Sequence, residues 1–287
     1  MAPARSGCDL AGSALIRQCL GSVRPHIIVN AAAYTNVELA ESESDLAMAI
    51  NGDGPAILAE MANALGALLV HYSSDYVFDG RLGRPYIEAD GPGPLNEYGR
   101  SKLAGERGAA KADRHLILRT SWVHGADGSN FLKTMLGLMM QRQSLNVVAD
   151  QVGIPTSVDL LAEVTAQLLT RYLRDAGGAP GSTAVAGRAQ FPFGLYHVAA
   201  SGQASWYDYA RLIAELAASR GVPLALGTQD IHPIKAADWP SRVVRPADSR
   251  LDTERLRSVF GVQLPSWQEG VAVTMTQLLQ GGHLCVP

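Results

Sequence analysis

Three short, unbroken apolar runs separated by stretches of helical period constrain this chain more than any other feature. They are His26-Ile27-Ile28-Val29-Asn30-Ala31-Ala32-Ala33, Ala67-Leu68-Leu69-Val70-His71-Tyr72-Ser73 and His115-Leu116-Ile117-Leu118-Arg119-Thr120. Each reads as a strand buried on both faces, because it lacks the polar alternation of a half-exposed strand. Ala47 to Leu65 carries helical spacing through Ile50, Ile57, Leu58, Met61 and Leu65. A Pro/Gly-rich loop then leads to Asn96, placed to cap a helix that begins just after it. Phe131 to Gln141 reads as a helix and Leu145 to Val148 as a short strand. Strands and helices alternating at this rhythm predict an α/β fold, a doubly wound parallel sheet covered on both faces.

Beyond Asp150 the texture changes. Val158 to Leu173 is an amphipathic helix, and Asp175 to Gly187 is a Gly/Ala/Pro-rich stretch that reads as a surface insertion. Gly194 to Ala199 reads as a strand and Trp206 to Leu216 as a helix. Pro233 to Arg250 reads as irregular, with Arg242, Arg245 and Arg250 among its Pro and Ser residues, and helices over Leu251 to Phe260 and Trp267 to Leu279 close the chain. The expected division is 1–149 as a first domain and 150–287 as mainly a smaller α/β domain. The 158–173 helix and the 194–199 strand are candidates to return to the first sheet.

The bulk numbers exclude several classes. A net charge of −3 over 287 residues gives no basic footprint, so nucleic acid is not an expected partner. No apolar run approaches the ~18 residues of a membrane span, and the first residues have no apolar core of a secretory signal. Cys8, Cys19 and Cys285 are odd in number and form no CxxC pair, which points to a reduced, cytoplasmic setting. The seven histidines show neither HExxH nor HxH spacing, so no metal site is expected, and the absence of a G-x-S-x-G elbow argues against an α/β-hydrolase.

In open parallel sheets, ligands bind outside the carboxyl ends of the strands. Asn30-Ala31-Ala32-Ala33-Tyr34-Thr35, Ser73-Ser74-Asp75 and Arg119-Thr120-Ser121-Trp122 fall at such ends. Tyr98 and Lys102, four apart on the expected helix, share one of its faces. The expectation is that the Lys102 ammonium lowers the pKa of the Tyr98 hydroxyl and makes it a proton donor or acceptor at a carbonyl or alcohol oxygen. Each residue also has a bland reading. Ala31 to Ala33 suit close helix–strand packing, Ser74 and Asp75 suit turn capping, Trp122 suits the core, and the arginines suit a solvated loop. It is the convergence on one sheet edge that favours chemistry.

Four segments carry a resemblance to a known family: Asn30 to Thr35, His71 to Phe78, Pro94 to Glu106 and Arg119 to Val123. Together they resemble the extended short-chain dehydrogenases and, within them, the reductases of dTDP-4-dehydrorhamnose. Asp150 to Thr156, Arg245 to Thr253 and Leu264 to Trp267 fit as well. The resemblance implies a Rossmann-like cofactor domain followed by a substrate domain. It implies reduction of the C4 ketone of dTDP-4-dehydro-L-rhamnose to dTDP-L-rhamnose by NADPH or NADH, a step toward cell-surface polysaccharide. Tyr98 would be the proton donor and would also touch the cofactor, and Lys102 would tune Tyr98 and hold the nicotinamide ribose. Ser74, where the family usually has threonine, would hydrogen-bond the ketone. Asp75 and Trp122 would touch the substrate. Ala32, Ala33, Tyr34 and Thr35 would run along the cofactor, and Asp9 and Leu10 would meet its adenine end. The arginines of 242–250 would suit a diphosphate. The resemblance also implies a homodimer and, in some members, interfacial Mg²⁺, for which Asp159 and Gln268 stand where ligands would lie, so metal is left unassigned.

The family opens with a strand, a GxxGxxG turn, a helix and a second strand, and Gly7 and Gly12 have no strand before them. The expectation is a chain short of one βα unit plus a strand, whose His26–Asn30 strand becomes a sheet edge and which binds NADPH weakly, unless coding sequence upstream of Met1 extends it. Two alternatives to this reductase stay open. Ser73 to Gly80 is also similar to the non-catalytic β subunit of methionine adenosyltransferase, against which Trp122 speaks. A related nucleotide-deoxysugar 4-ketoreductase is the other.

Overall fold

A computed structural model of the chain describes residues 2–175 and 191–281, so most of the stretch read as a surface insertion, and Cys285, lie outside the described residues. The first half runs α1 (Ser13–Val23), β1 (Ile27–Asn30), α2 (Val37–Ala40), α3 (Ser44–Met48), α4 (Gly54–Leu65), β2 (Leu68–Ser74), α5 (Glu97–Ala109), β3 (His115–Thr120) and β4 (Val123–His124). The second runs α6 (Phe131–Gln141), β5 (Leu145–Val148), β6 (Val152–Gly153), β7 (Thr156–Ser157), α7 (Val158–Asp175), β8 (Gly194–His197), β9 (Ala204–Ser205), α8 (Trp206–Ser219), β10 (Ile231–Ile234), α9 (Glu254–Phe260) and α10 (Trp267–Gln280).

The main sheet is parallel, with four strands in the order β1-β2-β3-β8. Alternate residues of its strands feed different cores, as the two-residue period of a strand requires. Ile28, Leu69 and Ile117 join Ile16 and Leu20 of α1 and Leu58 of α4. Leu68, Val70, Leu116 and Leu118 join Leu160, Val164 and Leu168 of α7 in a larger cluster. Strand β1 lies at the sheet edge, and its Val29 is 45% exposed. Three two-stranded pairs, β10–β5, β4–β7 and β6–β9, extend the structure beyond the main sheet. Among the described residues, no helix is long and apolar enough to cross a membrane.

Local chemistry sets the helix starts. The Asn96 side chain accepts from Gly99 N at 2.8 Å and so begins α5 where the sequence places it. Asn130 does the same for α6, while Ser205/Asp208 and Ser266/Glu269 form reciprocal capping boxes at α8 and α10. The continuous helix expected over Ala47 to Leu65 is interrupted: Ala49–Asp53 forms a π turn between α3 and α4. The cause is tertiary. The Asn51 amide is 2% exposed and bonds both backbone groups of Tyr34, at 2.8 and 2.9 Å, and the Ser101 hydroxyl at 3.0 Å. Gly105 lets α5 approach this turn, since a Cβ there would collide with the Asn51 carbonyl. The segment read as irregular from Pro233 contributes to a strand, because Ile231–Ile234 finds β5 in parallel register.

Candidate active site

The carboxyl ends of β1, β2 and β3 open onto a cleft of about 770 Å³, the position that the parallel topology favours for a ligand. Ala31, Ala32, Ala33, Thr35, Ser74, Asp75, Tyr98, Lys102 and Trp122 all line it, so the structure gathers most of the residues singled out in the sequence. The exceptions are as informative. Tyr34 turns its hydroxyl away to Glu43 Oε2 at 2.7 Å, and its backbone is held by Asn51. Leu10 packs into the smaller core, while the Asp9 carboxylate accepts from Ala11 N at 3.0 Å and Arg5 Nε at 3.1 Å. Neither Asp9 nor Leu10 lines the cleft.

Tyr98 and Lys102 reach the cleft from the same face of α5, but their electrostatic relation differs from the expected one. Burial pushes the Tyr98 hydroxyl well above its ordinary range, Asp75 and Tyr76 add to the rise, and a hydrogen bond with Ser74 opposes it. The Lys102 ammonium is directed to the carbonyl oxygen of Tyr72 at 2.6 Å instead of to Tyr98. Lowering of the Tyr98 pKa by Lys102 is therefore corrected to a rise governed by desolvation, and Tyr98 keeps its proton at neutral pH. Lys102 itself, 3% exposed, is pulled from 10.5 down to about 8 by burial, partly offset by Glu106.

Ser74 ends β2 and has two tasks at once. Its hydroxyl accepts from Tyr76 N at 3.1 Å, capping the short turn Asp75–Val77, and donates to Asp75 Oδ1 at 2.9 Å. Asp75 is 2% exposed and also accepts from Ser121 Oγ at 2.9 Å. Burial raises its pKa from 3.8 to about 6, against the pull of hydrogen bonds from Ser249, Ser74 and Ser121. A carboxylic acid that titrates near neutrality in a cleft is suited to exchanging a hydrogen-bond proton with its neighbours.

Trp122 adopts φ 45, a left-handed backbone that side chains other than glycine rarely take. That conformation lays its indole on Trp206, with ring centroids 3.4 Å apart and planes 5° from parallel. Phe131 continues this wall, 4.6 Å from Trp206. Gly153 is required beneath it, because a Cβ there would overlap the Trp122 ring. Sequence reasoning missed Phe131, Trp206 and Tyr209, which line the cleft from α6 and α8, together with Asn51 behind it. Trp206 is the first residue of an amphipathic helix, and nothing local distinguishes it from a core aromatic. Among the 242–250 arginines, Arg245 alone lines the cleft, whereas Arg250 is held by Asp248.

Behind the site, Glu106 lies one helical turn beyond Lys102 and receives a two-point salt bridge from Arg119, both contacts at 2.7 Å and both side chains buried. The Ser73 hydroxyl donates to the same carboxylate at 2.5 Å. Among the described residues no group of His, Cys, Asp or Glu is gathered so as to hold a metal ion. Asp159, one of the residues placed where a family ligand would lie, accepts from Gln277 Nε2 at 2.9 Å.

The family model described as the RmlD substrate binding domain matches residues 1–280. A dTDP-4-dehydrorhamnose reductase of Escherichia coli is 44% identical over 264 residues, covering 92% of this chain and 83% of that protein. Among solved structures, the dTDP-4-dehydrorhamnose reductase of Bacillus anthracis in complex with NADP superposes with a TM-score of 0.82 at 34% identity, covering 95% of this chain and 88% of that one. The corresponding protein of Clostridium acetobutylicum superposes with a TM-score of 0.84 at 31% identity, covering 98% of this chain and 90% of that one.

Proposed function

The chain belongs to the RmlD substrate binding domain family, and from that premise we propose that it is an NAD(P)H-dependent dTDP-4-dehydrorhamnose reductase. The reaction is reduction of the C4 ketone of dTDP-4-dehydro-L-rhamnose to dTDP-L-rhamnose, in dTDP-rhamnose biosynthesis. The observation that carries this reading is the meeting of Tyr98, Ser74, Asp75 and Trp122 in one cleft at the carboxyl ends of the parallel strands.

The residues present suit a nicotinamide cofactor. Ala31, Ala32 and Ala33 leave the end of β1 free of bulky side chains, so a flat ring can approach the backbone, and Thr35 and Lys102 supply hydroxyl and ammonium donors beside it. The reduced nicotinamide of NADPH or NADH supplies the hydride when bound. Tyr98 holds its proton at neutral pH and delivers it to the C4 oxygen as negative charge develops there. Ser74 is the second donor to that oxygen, its hydroxyl exchanging Asp75 for the substrate. Lys102 holds the ribose of the cofactor, and the Trp122–Trp206 wall packs against the sugar ring. In this reading 1–149 is the cofactor domain and 150–287 mainly the substrate domain. A cytoplasmic homodimer completes it, supported by the family resemblance and the free thiols of Cys8 and Cys19.

Tyr98→Phe is the test. NADPH oxidation, followed with dTDP-4-dehydro-L-rhamnose made by coupled dehydratase and epimerase, should show kcat reduced by about 100-fold or more while the KM for NADPH is kept. Turnover close to that of the unaltered chain would remove Tyr98 as the proton donor.

A further inference from the structure

Two lysine or arginine side chains line the cleft, Lys102 and Arg245, and they are presented differently. Lys102 is 3% exposed with its ammonium on the Tyr72 carbonyl. The Arg245 side chain is 29% exposed and sits at the end of a strap, residues 241–245, that lies over α2 and the start of α5. Its Nη1 donates to the Tyr76 hydroxyl at 3.2 Å and its Nη2 to Glu38 Oε1 at 2.7 Å. The same Glu38 oxygen accepts from Ser241 Oγ at 3.0 Å, and Asn96 Nδ2 pins the strap by donating to the Val244 carbonyl at 3.0 Å. Glu38 stands on α2, three residues past Thr35, and its side chain is 44% exposed.

An ion pair this open is weak, because water and salt screen it. A diphosphate is a stronger partner for the same guanidinium, since it brings more charge and accepts parallel N–H donors. Glu38 opposes such a ligand twice: it occupies Nη2, and its own charge repels an anion. A nucleotide sugar entering the cleft therefore meets a cation already engaged by a carboxylate that the exchange would release.

We propose that Glu38 is the carboxylate displaced when Arg245, in the 242–250 loop whose arginines the resemblance offers to a diphosphate, takes up the diphosphate of the nucleotide-sugar substrate, which makes Glu38 a competitor that sets nucleotide affinity. This assignment rests on the reductase reading above and deepens it by naming the pair that grips and yields the diphosphate. Arg242, exposed, and Arg250, engaged by Asp248 and Gln203, do not share the role.

Titration calorimetry with dTDP on the full chain tests it, using Arg245→Met, Glu38→Gln and the double variant, with melting temperatures as the check on folding. Arg245→Met should raise the Kd about tenfold or more, the scale of a lost charge-assisted contact. Glu38→Gln should lower the Kd about threefold, a modest change in keeping with an exposed pair. The double variant should bind nearly as weakly as Arg245→Met, because without the guanidinium Glu38 acts only through the screened repulsion of an exposed charge. Binding weakened or unchanged in Glu38→Gln would overturn the competition, since a carboxylate that merely orients Arg245 predicts that sign. Binding of dTDP that Arg245→Met leaves intact would overturn the diphosphate contact alone. Failure of the unaltered chain to bind dTDP would remove the nucleotide-sugar reading and this assignment with it.

Discussion

Asp75 is surrounded by hydroxyls, from Ser74, Ser121 and Ser249, and that difference from a salt-bridged carboxylate determines how it responds to pH. Its pKa is higher folded than unfolded, so the folded state binds its proton more tightly. The resulting stabilisation is fully present below pH 3.8 and is lost as pH rises through about 6. Asp75→Asn removes that titration. Between pH 4 and pH 7, urea unfolding should show the stability of the variant improving relative to the unaltered chain, on the order of 3 kcal/mol. A constant difference across that range would mean that Asp75 stays ionised when folded. The same substitution should lower kcat, because an amide offers one acceptor oxygen where the carboxylate offers two, so Ser74 and Ser121 can no longer each donate to an oxygen of their own.

Helix α5 carries Tyr98, Lys102 and Glu106 at successive turns, and its register on the sheet is fixed by the Arg119–Glu106 pair. Arg119 already has one nitrogen, Nη1, without a hydrogen-bond partner and lies over the Phe78 ring at 4.8 Å. Glu106→Gln would leave a guanidinium buried without its counter-charge, and the expected cost is about 3–5 kcal/mol. Chemical denaturation measures it, and a loss under about 1 kcal/mol would show that the pair is not what anchors the helix. The start of α5 was legible in the sequence because an Asn cap acts within four residues. The pair was not, since Glu106 and Arg119 sit on different elements and neither advertises its partner. The π turn at Ala49–Asp53 was hidden for a related reason. Ile50 and Ile57 keep a helical spacing, while the extra residue in the turn answers to Tyr34 and Ser101, contacts that only the folded chain makes. Asp75, Ser74 and Tyr98 were readable because strand ends and helix faces place them. The direction of the Tyr98 shift was not, because it depends on burial.

Among the described residues, two hydrophobic cores of unequal kind lie on the faces of one sheet. The smaller, around α1, β1 and α4, includes Ala59, Ala62, Ala67, Ala109 and Ala112 among its buried members, and each of these contributes little apolar area. The larger one holds most of the aromatic side chains. Local opening should therefore begin at α1 and β1, with their amides exchanging faster than those of β3 under native conditions. Hydrogen exchange read by mass spectrometry would show it, and equal protection in α1, β1 and β3 would mean that both cores open as one unit. The tryptophans follow the same asymmetry. Trp122 and Trp206 are stacked in the cleft, Trp267 meets Tyr209 at 5.9 Å behind them, and Trp239, 50% exposed, stands just before the strap that carries Arg245. Two indoles this close and this parallel absorb as a coupled pair, whereas an exposed indole emits as one in water. The chain thus carries two optical reporters of its own: near-ultraviolet dichroism for the wall of the cleft, and red-edge fluorescence for the strap at its mouth.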